Sequence, residues 1–87
     1  MNGRGEYAFD EALDKISEAE ARMGMVSVMT SDILTGMHRG EDVRPELDAL
    51  LDVMLAARRS MSQAAGWVDK AMLEIDRERR DDDTGAG

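Results

Sequence analysis

Cysteine is missing from this chain, and histidine, proline, tryptophan, tyrosine and phenylalanine occur once each. Without cysteine there is no disulfide framework and no thiolate metal site, and one histidine cannot build a histidine-rich one. A reducing compartment fits this composition, and a cytoplasmic location is expected. Basic charge is scarce as well: 11 Lys and Arg stand against 19 Asp and Glu, for a net charge of −8. An acidic surface repels nucleic acid and anionic membranes, so neither is an expected partner, whereas a basic protein is an acceptable one. The basic clusters Arg58–Arg59 and Arg77/Arg79/Arg80 do not change this, because Asp81–Asp83 directly neutralise the second.

Long hydrophobic runs are also absent. The longest weakly charged stretch is the fifteen residues Met23 to Met37, interrupted by Asp32. That falls short of the roughly 18–20 residues that span a bilayer. No basic start followed by an apolar segment and a small-residue cleavage site opens the sequence, so no signal peptide is expected.

What remains is helix-forming material: Ala, Met, Leu, Glu, Asp and Arg dominate, and residue types that favour sheet are few. Residues 1–7 (MNGRGEY) lack periodicity and read as a flexible arm. From Phe9 the positions Phe9, Ala12, Ile16, Ala19, Met23, Val26, Thr30, Ile33 and Met37 advance in steps of three and four, the spacing of a coiled-coil seam. A helix over 8–36 is predicted, with Gly36 as its stop. Residues 37–43 form the turn, Pro45 suits the first turn of the next helix, and Asp42 or a neighbour is its cap. The second helix, 44–80, repeats the spacing at Leu47, Leu50, Met54, Ala57, Met61, Ala64, Val68, Ala71 and Ile75. Residues 81–87 (DDDTGAG) read as a disordered acidic tail. The fold class is therefore all-α, an antiparallel two-helix hairpin of long helices. Folding it back pairs Phe9 with Ile75, Ile16 with Val68, Met23 with Met61 and Met37 with Leu47. It also brings Glu6, Asp10 and Glu11 toward Arg77 and Arg80, and Asp14 toward Lys70.

A core this size supplies only about 3–5 kcal/mol, and oligomerisation is a common remedy. Met25, Val28 and Met29 in the first helix and Leu55, Trp67 and Leu73 in the second fall off the seam, so they are the expected partner or dimer interface. Dimerisation into a four-helix bundle is expected on this ground. Seven internal methionines (23, 25, 29, 37, 54, 61, 72) make the surface deformable. Glu11, Asp14, Glu18, Asp48 and Asp52 form an expected acidic face that could imitate phosphate and occupy a basic groove.

Catalysis is not expected. Ser60, Ser62 and His38 make no triad, because His38 lies in the turn, and His38 with Glu41 and Asp42 supplies too few ligands for a metal site. No cofactor is implied. In size and helix pairing the chain resembles secretion-needle subunits and the small helical-hairpin proteins secreted by actinobacteria. It lacks the Pro-rich turn of the first and the Trp-x-Gly turn of the second, since Trp67 follows Gly66 in mid-helix, and no family is assigned. The function expected is a protein interaction module of a bacterium or phage, an inhibitor, adaptor or chaperone of another protein. The alternative is a structural subunit whose hairpins self-assemble.

Overall fold

Two long helices joined by a tight turn make up the computed structural model, which describes residues 3–86 and side chains as far as Arg80. The first, α1, is Arg4–His38, and the second, α2, is Arg44–Ala86. They lie antiparallel in a rod with Cα extents of 73 × 16 × 13 Å. No helix among the described residues is long and apolar enough to cross a membrane.

The helix bounds differ from expectation at both ends. Residues 4–7 are helical rather than a flexible arm, while Met1 and Asn2 lie outside the described residues. Packing supplies the reason. Gly5 is buried, and a Cβ built on it would come within 2.7 Å of Ile75 Cγ1 and 3.4 Å of the Ala71 carbonyl oxygen, so the two backbones approach closely here. Tertiary support of this kind overrides the poor helix propensity of glycine. At the other end the α2 backbone stays helical through the acidic segment to Ala86, where a disordered tail was expected; Gly87 lies outside the described residues. Extending a formed helix costs far less than starting one.

Gly36 is not the stop. It is buried inside α1, and a Cβ there would meet Val43 Cγ1 at 2.9 Å. The chain turns instead at Gly40, whose φ of +74° lies in the left-handed region that glycine adopts without penalty. The Gly40 N–H donates to the Met37 carbonyl (3.1 Å) and the Glu41 N–H to the Gly36 carbonyl (3.0 Å), the paired bonds of a Schellman cap. At the start of α2, Asp42 Oδ1 accepts from Arg44 Nε (3.2 Å) and from the Arg44 backbone N–H (3.1 Å). These two donors hold the Asp42 carboxyl below its ordinary 3.8.

The seam is rotated from the one expected. Buried residues on α1 are Gly5, Ala8, Ala12, Ala19, Ile33 and Gly36, and on α2 Ala57, Ser60, Ala64, Ala71 and Glu74. Both sets keep the heptad spacing and share the expected columns 12, 19, 33 and 57, 64, 71. The other column has moved by one residue, from Phe9, Met23 and Met37 to Ala8, Arg22 and Gly36, and from Met61 and Ile75 to Ser60 and Glu74. Small side chains allow close helix approach, and that selects the column. The outcome is a thin core in which, among the described residues, no large side chain is fully buried.

One polar layer crosses the alanine seam. Ser60, only 3% exposed, accepts a hydrogen bond from Arg22 Nη1 and donates to Glu18 Oε2 at 3.3 Å, while Arg22 also pairs with Glu18 at 3.7 Å. Among the described residues no buried side-chain polar atom lacks a partner, so the layer crosses the seam without an unsatisfied buried atom. The expected attractions at the open end do not form among the described residues: Arg77 pairs with Glu74 at 3.4 Å, and Lys70 Nζ lies 5.0 Å from the centre of the Trp67 ring. All the ion pairs described lie within one helix or the turn.

Candidate protein interaction face

An alanine seam has a direct consequence for the bulky residues beside it. Side chains displaced from the seam stand along its edge, on whichever side the rotation has turned them. On α1 these are Phe9, Ile16, Met23 and Met37; on α2 they are Leu47, Met54, Met61, Val68 and Ile75. In an antiparallel pair these columns flank the same side of the seam. At mid-length Ala19, Met23 and Val26 of α1 and Met54, Ala57 and Met61 of α2 line one open groove of about 560 Å³. Glu20 stands on one rim and Arg58 on the other.

A second column lies one step further out on each helix. On α1 it is Glu6, Leu13, Glu20, Ser27 and Leu34, and on α2 Leu51, Arg58, Ala65, Met72 and Arg79. Together the edge and outer columns repeat the steps of three and four, so each helix carries two heptad stripes. One stripe closes the hairpin and the other faces solvent. Five exposed large apolar residues on α1 (Phe9, Leu13, Met23, Leu34, Met37) and six on α2 (Leu47, Leu51, Met54, Met61, Met72, Ile75) belong to it, eleven of the sixteen described. Monomeric proteins seldom expose a contiguous apolar face of this kind.

The residues expected to form the interface are not brought together. Met29 and Trp67 are half-buried in the seam itself, and the Trp67 ring meets Tyr7 edge-on at 6.1 Å. Met25 and Val28 are exposed on the opposite side of the seam from the groove and on the outer face of α1. Leu55 stands with Arg58, Arg59 and Ser62, and Leu73 with Asp69, Met72 and Asp76, both on the outer surface of α2 alone. The acidic residues are divided too. Glu18 is engaged with Lys15, Arg22 and Ser60, with Glu11 and Asp14 further toward the open end. Asp52 and Asp48 lie turnward of Ser60 by about 12 and 18 Å of helix. Leu13, Leu34 and Leu51, to which the sequence assigns no role, widen the stripe together with Met72, one of the expected surface methionines. Their signal was the spacing of four from Phe9, Thr30, Leu47 and Val68.

Compared with protein-family models, curated proteins and solved structures, the chain matches none. The candidate site therefore stands on its geometry. Among the described residues no three His, Asp or Glu side chains converge as metal ligands do.

Proposed function

We propose that this chain is a non-catalytic protein interaction module, an acidic helical hairpin whose second apolar stripe is covered by another chain. The observation that carries the reading is the concentration of eleven exposed large apolar residues on one face of a hairpin with almost no large buried side chain. The first occupant is a second copy, which would complete a four-helix bundle and supply the core that the hairpin lacks. The face suits this in size. From Phe9 to Met37 the stripe runs about 42 Å at the helical rise, on a body roughly 16 Å wide, near the ~800 Å² per partner of a standard interface. A further partner, bound as an inhibitor or adaptor binds its target, would be neutral or basic, since the net charge is −8.

Sedimentation across a range around tens of micromolar, where weak association becomes visible, tests the reading. A single closed dimer is expected. A stable monomer throughout would overturn it, and a mass that keeps growing with concentration would replace the closed dimer by an open assembly of hairpins.

A further inference from the structure

Thioether sulfur is concentrated at one place on this hairpin. Of the eleven exposed apolar residues on the stripe five are methionine, and three of these, Met23, Met54 and Met61, line the central groove while 55%, 48% and 51% exposed. The other apolar groove residues, Ala19, Val26 and Ala57, are aliphatic and inert to peroxide. Cysteine, the usual competitor for an oxidant, is absent from the chain. None of the three methionines belongs to the alanine seam, so the chemistry of the groove and the packing of the hairpin are separable.

We infer, building on the interaction reading above, that Met23, Met54 and Met61 form a reversible oxidation site through which a hydroperoxide releases the second copy from the stripe. The thioether sulfur attacks the proton-bearing oxygen of the hydroperoxide, and the S–O bond forms as the O–O bond breaks. The proton passes to the departing oxygen, which leaves as water or an alcohol. Sulfur gives up two electrons and the peroxide takes them. A flexible apolar side chain thereby becomes a polar sulfoxide. Only Glu20 and Arg58 bring polar side chains to the groove, both on its rims, and Arg58 alone is a strong donor. A sulfoxide on the groove wall is therefore left unpaired when the groove is covered, which opposes association. The separated hairpin is the form attacked, because a docked copy shields the sulfurs. Each hairpin so modified is withdrawn from the equilibrium with the dimer. Met25 supplies the comparison: it is 53% exposed, and it stands on the opposite side of the seam from the groove.

The test treats the full chain with hydrogen peroxide at protein concentrations on either side of the dimer Kd. Peptide mass spectrometry locates the added oxygen, sedimentation reads the mass, and circular dichroism reads the helix signal. In concentrated protein Met25 is expected to oxidise several-fold faster than Met23, Met54 and Met61, and on dilution the rates should converge. Chain carrying the three sulfoxides is expected to keep its helix signal while its Kd rises about tenfold or more. Methionine sulfoxide reductases should restore the dimer. M23L/M54L/M61L, which conserves volume and keeps Met25, Met37 and Met72, should remain dimeric after the same treatment. An unchanged Kd with the three sulfoxides in place, or equal dissociation of the leucine variant, overturns the oxidation site while the interaction reading stands. Loss of the helix signal on oxidation also overturns it, because the methionines would then belong to the core. Untreated chain that sediments as a monomer throughout removes both.

Discussion

Met61 offers a measurable test of which face is covered. Its side chain is 51% exposed in the hairpin and lines the central groove. Burying a whole methionine is worth about 1.5–3 kcal/mol, so covering the exposed half contributes about 0.8–1.5 kcal/mol. Two copies meet in a symmetric dimer, which makes Met61→Ala cost about 1.5–3 kcal/mol of association, or about 10- to 100-fold in Kd. Alanine is the stronger helix former, so the substitution removes contact area without lowering helix propensity. Leu55→Ala is the matched control: Leu55 is similarly exposed, at 44%, but stands on the outer surface of α2. Its Kd is expected to stay within about twofold, the ordinary range of a surface substitution. Sedimentation equilibrium on the two variants reads the difference. Equal shifts in Kd, or an unchanged Kd for Met61→Ala, would refute the assignment of the face.

The seam should resist enlargement, because Ala64 is buried where the helices approach: Ala64→Leu is expected to cost about 1–3 kcal/mol in urea unfolding followed by circular dichroism, and a neutral result would mean the helices are not in close contact. Two glycines should respond with opposite signs. Gly24→Ala, with nothing within 4 Å of the new Cβ, should raise stability by roughly 0.5–1 kcal/mol, whereas Gly36→Ala should lower it by forcing Val43 aside; thermal melts that rank the two alike would contradict the packing. Asp42 has its carboxyl lowered by Arg44, so its contribution is present above about pH 4, the ordinary carboxylate range, and is lost as pH falls through the depressed native value. Asp42→Asn should flatten that part of the acid limb of a stability–pH profile, and an unchanged limb would show that the cap carries none of it.

The hairpin, its turn and the capping role of Asp42 are legible in the sequence because each has a local cause: two heptad series, a glycine-rich break and an acid beside the second helix start. The seam is half legible. Ala12, Ala19, Ile33, Ala57, Ala64 and Ala71 belong to both the expected stripe and the observed one. The flanking column was open to two choices, and periodicity of apolar residues favours Phe9, Met23 and Met61 over Ala8, Arg22 and Ser60. Packing reverses that preference, because backbone approach depends on small side chains and hydropathy does not register size. Arg22, Ser60 and Glu74 are polar and so fall outside an apolar periodicity, yet a polar residue at a seam is tolerated once its buried groups have partners. The expected surplus shifts for the same reason: with the bulky column counted in the core, Met25, Leu55 and Leu73 are what remains, whereas in the hairpin the exposed apolar residues also include Phe9, Met23 and Met61.

The Gly40 turn has a kinetic meaning. It closes the shortest loop in the molecule, with Gly36 against Val43, whereas Arg22 and Ser60 are separated by 38 residues and Gly5 meets Ile75 near the two ends of the hairpin. Direct closure of the far contacts must meet the loop entropy at once, but closure outward from the turn meets it in small steps, each shortened by the one before. The hairpin is therefore built to zip from Gly40 toward the open end. In a chevron, Gly40→Ala should slow the folding limb, because the left-handed turn is already formed at the barrier, while a substitution at Ala12 should mainly quicken unfolding. The residue that reverses the chain then sets how fast the chain folds, and the alanines near the open end set how long it stays folded.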